Sequence, residues 1–293
     1  MARQSQVVLG LDPDPIRLWP RALEVAYLPD APPAARAAFA VAAHCRLAID
    51  AAGDECVAVK LQVACFERLG APGWAALEEV VQQARDRGLL VIADAKRGDI
   101  DVTATAYAQA YLGATPTAYG PVEGLAADAM TVNPLLGADS LEPFVREARE
   151  RGRGLFVLAR TSNLGAADIQ GQALEGGGTV SDRLAQIIDR LGADGVGASG
   201  LSDVGAVVGA TAPEELDAMR GQMPSAVFLL AGVGAQGGRV EELGAAFALG
   251  PAGGLVSASR GIVSAYEGTG GDPASAARRE AARLRELAWS LSS

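Results

Sequence analysis

Histidine and lysine are nearly missing from this chain. One histidine and two lysines, Lys60 and Lys96, occur in 293 residues, so 23 of the 25 basic residues are arginine. With His44 alone, neither a Ser-His-Asp triad nor a multi-histidine metal site is expected, and its Ala-rich helical surroundings point to a structural role. Aromatics are only 5%, so the core must be built from Ala, Val and Leu. Cys45, Cys56 and Cys65 form no CxxC pair, which fits reduced, mostly buried thiols in a cytosol better than a disulfide framework. Long apolar runs are lacking too. Residues 1–6 are polar and 7–11 are far too short for a signal peptide, while Gln, Pro and Gly break the charge-free run 221–238. Positive charge is in deficit. A net charge of −10 argues against nucleic-acid or anionic-membrane partners and fits a solvated cytoplasmic protein.

What is present is core material. Hydrophobic residues make up 49% and charged residues 20%, which excludes disorder as the main state. Nearly continuous apolar runs at 7–12, 56–62, 89–96, 130–135, 154–161, 195–199, 227–233 and 254–259 read as strands buried on both faces. Amphipathic stretches at 34–51, 74–87, 141–151, 181–191, 213–220, 239–248 and 273–291 read as helices between them. This pattern predicts a (β/α)8 TIM barrel, with residues 1–293 as a single domain. The alternative is an open doubly wound sheet, weakened by the lack of GxGxxG after the first strand. The Pro-rich 13–33 reads as an active-site loop, and 167–179 as a mobile loop after strand five.

In such a barrel the chemistry sits at the C-terminal strand ends. Both lysines fall at such ends, with Arg97, Arg160 and Arg260. Asp94 and Lys96 are two apart on a strand and so share a face, Asp99 follows in the loop, and Lys60 can reach the same spot from the adjacent strand. The result is a Lys-Asp-Lys-Asp set. Carboxylates there keep an ammonium charged and able to act as a general acid, and a fixed aspartate can press on a substrate carboxylate and favour its loss. The plainer reading is an ion-pair network that closes the barrel mouth. The loops after strands seven and eight read as a phosphate site. Gly234 to Gly238 admits close approach to backbone N–H groups, Gln236 can donate, and Arg260 can grip phosphate oxygens. The plainer reading there is a turn beside a surface arginine.

Asp94-Ala95-Lys96-Arg97-Gly98-Asp99-Ile100 resembles the signature of orotidine 5′-phosphate decarboxylases. The longer spacing and Asn133-Pro134-Leu135-Leu136-Gly137 resemble the bacterial type 2 subfamily, and the likeness runs from Leu11-Asp12-Pro13 to Ser259-Arg260-Gly261. The resemblance implies loss of CO2 from orotidine 5′-phosphate to give uridine 5′-phosphate in pyrimidine biosynthesis, with no metal and no organic cofactor. It implies that Lys60 and Asp12 hold the ribose hydroxyls, that Asp94 sits against the carboxylate, and that Lys96 stabilises and protonates the carbanion at C6. Ser162 would recognise the pyrimidine edge, and Gln236 and Arg260 the phosphate. It also implies a homodimer with shared sites, in which Asp99, Ile100 and Thr103 reach into the neighbouring subunit. The chain departs from the family pattern at Ala231, where proline is expected, at Leu164, where proline is common, and at Ser257, where many relatives carry asparagine.

Three other readings compete. Sugar-phosphate relatives such as 3-keto-L-gulonate 6-phosphate decarboxylase also use DxKxxD, but with a magnesium-binding acidic residue on strand two, where this chain has Lys60. A barrel that binds a phosphorylated ligand without chemistry would be expected to have lost one of the four charged residues. A Schiff-base aldolase needs a lysine of depressed pKa, which flanking aspartates oppose.

Overall fold

The computed structural model describes residues 3–26 and 28–292. Eight parallel strands pair with their sequence neighbours and close: β1 (Val7–Leu11), β2 (Ala58–Gln62), β3 (Leu90–Arg97), β4 (Ala129–Val132), β5 (Gly154–Arg160), β6 (Val204–Gly209), β7 (Phe228–Ala231) and β8 (Gly254–Ala258). Pairing of Val7 with Val256 completes the ring. Outside it run α1 (Pro33–Ala52), α2 (Ala71–Asp86), α3 (Asp101–Tyr111), α4 (Glu142–Glu150), α5 (Val180–Gly192), α6 (Leu216–Gln222) and α7 (Pro273–Ser290). The expected (β/α)8 barrel is the fold found.

Two cores result. The larger lies between strands and helices and is rich in Ala, Val and Leu. The smaller fills the barrel: Val8, Ala58, Ile92, Ala129, Phe156, Val207 and Leu229. Two residues further along a strand the side chain returns to the same face. That step leads from Ala58 to Lys60, from Ile92 to Asp94 and from Ala129 to Thr131. The apolar plug therefore becomes a polar layer as the strands approach the C-terminal mouth.

Three expectations need correction. Strand six is Val204–Gly209, not 195–199. The latter stretch leaves a 3-10 turn (Ala193–Gly195), and Val196 makes only an isolated bridge to Ser202. Both runs are short and apolar, but Val204–Gly209 is buried throughout and pairs on both sides. Residues 239–248 form no α-helix but two 3-10 turns, Val240–Glu242 and Gly244–Phe247; Gly244 falls where a continuous helix would have its interior. Strand four stops at Val132: Asn133 N–H makes a last bond to the Arg97 carbonyl on β3, and Pro134 has no N–H to offer. The 13–33 excursion contains a short helix, Pro20–Val25, and is pinned by Trp19, whose indole donates to the Val263 carbonyl at 2.9 Å. His44 makes the expected structural contact through one ring nitrogen: its Nδ1 accepts the Trp19 N–H at 3.1 Å.

Candidate active site

Asp94, on β3, is the centre of the polar layer and only 5% exposed. Its Oδ2 accepts from Lys60 Nζ at 2.7 Å and from Gln62 Nε2 at 3.2 Å. Its Oδ1 accepts from Lys96 Nζ at 2.6 Å and from Thr131 Oγ1 at 2.9 Å. Burial alone would raise the Asp94 pKa, but the Lys60 and Lys96 ammonium groups outweigh it and hold it at about 2. Burial alone would lower the Lys60 pKa, and Asp94 and Asp12 together push it up instead. The Asp12 carboxylate lies 3.9 Å from Lys60 Nζ. Three charged groups are thus fixed against one another, with Asp12 at the edge.

Lys96 reaches Asp94 by an irregular route. The β3–β4 register shifts between Ala93 and Arg97, so three residues of β3 bulge between ladder partners Met130 and Val132, which have one residue between them. Lys96 adopts φ 50°, a left-handed conformation uncommon for a side-chain-bearing residue. Its N–H donates at 2.9 Å to Thr131 Oγ1. Thr131 therefore braces the backbone of one charged residue and the carboxylate of the other. Arg97 turns outward, paired with Glu67 and donating to the Tyr111 hydroxyl at 3.2 Å. Gly98 is forced by close approach, since a Cβ would lie 2.9 Å from the Asn133 carbonyl oxygen.

The charged cluster opens into a cavity of about 350 Å³. Asp12, Lys60, Asp94 and Lys96 form one wall; Ser162, Gln236 and Arg260 stand on the other side. Ser162 Oγ bonds Gln236 Oε1 at 2.5 Å across the mouth. Gly232 beneath them has φ 94°, and a Cβ there would meet both side chains at under 3 Å. The loop after β7 offers fewer free donors than its glycines imply. The N–H groups of Gly234, Gly237 and Gly238 are used within the turn. Arg260 is exposed and makes no ion pair among the described residues.

Asp99, Ile100 and Thr103 do not line this cavity. The expected four-residue set within one chain is corrected to Lys60, Asp94 and Lys96 with Asp12 nearby. Asp99 is carried away by the loop, and its Oδ1 accepts the Ile100 N–H at 2.8 Å. Gln62 and Thr131 were missed from sequence. Gln62 could have been found, being two residues after Lys60 on the same strand face. Thr131 gives no local signal.

Residues 5–279 match the model of the orotidine 5′-phosphate decarboxylase / HUMPS family. The chain belongs to this family. An orotidine 5′-phosphate decarboxylase of Deinococcus radiodurans is 46% identical over 239 residues, 81% of each chain. One from Haloarcula marismortui is 42% identical over 266 residues, 90% of this chain and 83% of the other. The solved structure of Leishmania donovani OMP decarboxylase superposes with a TM-score of 0.72 at 31% identity, covering 98% of this chain and 95% of that one. Among the described residues no helix is long and apolar enough to cross a membrane.

Proposed function

We infer that the cavity takes orotidine 5′-phosphate and that the chain decarboxylates it to uridine 5′-phosphate and CO2, a step of pyrimidine nucleotide biosynthesis. The observation that carries this reading is a buried carboxylate, Asp94, bridging two lysines and facing, across a nucleotide-sized cavity, an arginine with no ion-pair partner among the described residues. Asp94, ionised far below neutral pH, stands against the substrate carboxylate and disfavours the ground state. The bond between C6 and the carboxylate breaks, CO2 leaves, and the electron pair stays on C6. Lys96 Nζ stabilises that charge and gives C6 a proton, and the resulting amine is reprotonated from solvent. Lys60 and Asp12 hold the ribose hydroxyls, Ser162 the pyrimidine edge, and Gln236 and Arg260 the phosphate. Grip on the remote phosphate supplies binding energy that is used at the reacting carbon. No step is assigned to a metal or organic cofactor.

The working unit in this reading is a cytoplasmic homodimer. Asp99, Ile100 and Thr103 lie outside their own chain's cavity, at a rim where Ile100 is 51% and Leu135 72% exposed. Gly98 packs on Asn133, so these two apolar loops adjoin. An apolar rim of this kind suits a second copy, across which Asp99, Ile100 and Thr103 complete the partner's site.

The test is loss of the ultraviolet absorbance of orotidine 5′-phosphate with purified protein in EDTA. Turnover is expected; an unchanged spectrum sinks the reading, and activity that returns only with magnesium favours a sugar-phosphate type of site. Mixing Asp99→Ala with Lys96→Ala protein should restore part of the activity, because one hybrid site holds both residues. No recovery despite proven subunit exchange rules out the shared site.

A further inference from the structure

A second cavity of about 330 Å³ lies beside the substrate cavity, between the ends of β1 and β8. The two share Asp12, Ser259 and Arg260, so they meet at the cation assigned above to the substrate's phosphate. The second cavity is lined by His44, which is 4% exposed. Burial pushes the His44 pKa down to about 4, so the ring is neutral near pH 7. Because Nδ1 accepts from the Trp19 N–H, the neutral ring carries its proton on Nε2. That N–H has no acceptor among the described residues. A donor on the wall of an open cavity is available to an oxygen acceptor of a ligand.

The charges around it select the kind of acceptor. Glu267 pairs with Arg17 at 3.1 Å, Asp14 lies 3.8 Å from Arg68, and Asp12 lies 3.9 Å from Lys60. Arg260 is the lining cation without a carboxylate partner among the described residues. One neutral donor and one uncommitted guanidinium therefore face a polar space large enough for a tetrahedral anion.

We propose that this second cavity is a subsite for a phosphoryl group, with His44 Nε2–H as donor and Arg260 shared with the substrate's phosphate. The proposal rests on the reading of Arg260 as the phosphate ligand. A nucleoside 5′-diphosphate then binds with its first phosphoryl group at Gln236 and Arg260 and its second against His44. The same subsite accepts free inorganic phosphate when the nucleotide carries one phosphoryl group.

Calorimetric titration with uridine 5′-phosphate, uridine 5′-diphosphate and inorganic phosphate tests this on the full chain. The diphosphate is expected to bind at least as tightly as the monophosphate. His44→Leu, which removes the donor, and Ser264→Phe, which fills the cavity, should each weaken the diphosphate about tenfold relative to the monophosphate. The second variant keeps the test decisive if the first does not fold. A diphosphate bound tenfold more weakly than the monophosphate by the unaltered protein overturns the proposal, as does a ratio unchanged in Ser264→Phe. Inorganic phosphate that displaces the diphosphate but not the monophosphate supports it; equal displacement of both leaves one phosphoryl site and overturns it. If Arg260→Ala does not weaken the monophosphate, the underlying phosphate reading fails, visibly and separately, and takes the subsite with it.

Discussion

The two sides of the barrel mouth are built on opposite plans. On the β2–β3 side, Lys60 and Asp94 are buried, and Asp94 is held by four donors from three strands. On the β7–β8 side, Gln236 and Arg260 are exposed, glycines with positive φ shape the loop, and Arg260 lacks a carboxylate partner among the described residues. In the proposed reaction, charges that stabilise a short-lived carbanion are placed in advance by folding, so no reorganisation is needed at the moment of reaction. On the same proposal, groups that grip a remote, solvated phosphate are left uncommitted until the ligand brings their counter-charge. The protein's net charge of −10 makes this division useful, because an anionic substrate must be drawn in locally against an unfavourable overall field.

The comparison can be broken by exchanging what each side does. Lys96→Ala should have the largest effect, lowering kcat by about 10⁴-fold in steady-state decarboxylation with little change in thermal stability, because it removes the proposed proton donor from a half-exposed position. Lys96→Arg should also fail, since a guanidinium delivers a proton poorly; an active Lys96→Arg enzyme would refute the assignment. Arg260→Ala should raise KM by about 10²-fold with a smaller fall in kcat, and should leave the melting temperature unchanged because Arg260 makes no ion pair among the described residues.

Acid titration sharpens the contrast. The Asp94 pKa is depressed in the folded chain, so its stabilising contribution is present above the unfolded value of 3.8 and is lost as pH falls towards about 2. From that interval the contribution is about 2 kcal/mol. Denaturant melts of the unaltered protein and Asp94→Asn should therefore differ near neutral pH and converge as pH approaches 2, whereas Arg260→Ala should follow the unaltered protein throughout. The smallest expected effect is that of Thr131→Val, which keeps the shape but removes two hydrogen bonds. It should cost about 1–2 kcal/mol of stability and about tenfold in kcat, as the Lys96 bulge loses its brace. If kcat is unaffected, the bulge does not need Thr131.

Much of this arrangement was legible in the chain. Seven strands were placed close to their observed positions because strands buried on both faces read as apolar runs. Strand six was misplaced because 195–199 and Val204–Gly209 are alike in composition, and only pairing with β5 and β7 distinguishes them. Lys60, Asp94 and Lys96 were visible because lysine is so rare here. The bulge was not, since Asp94-Ala95-Lys96 alternates as a regular strand would, and the irregularity exists only relative to β4.

By itself, then, the sequence determined the barrel, through the period of its apolar runs, and the residue types at the mouth, through their place after those runs. It also determined that the ammonium groups would be few and distinct. The tertiary structure alone decided which of these residues touch. Closure of the ring sets Lys60 against Asp94 across strands 34 residues apart in sequence and supplies Thr131 from β4 as a brace. It also carries Asp99 away from the lysines, although only two residues separate it from Lys96. The physical reason is that local spacing governs which face a side chain takes, while hydrogen-bond partners depend on strand register and chain path, which the whole sheet settles together.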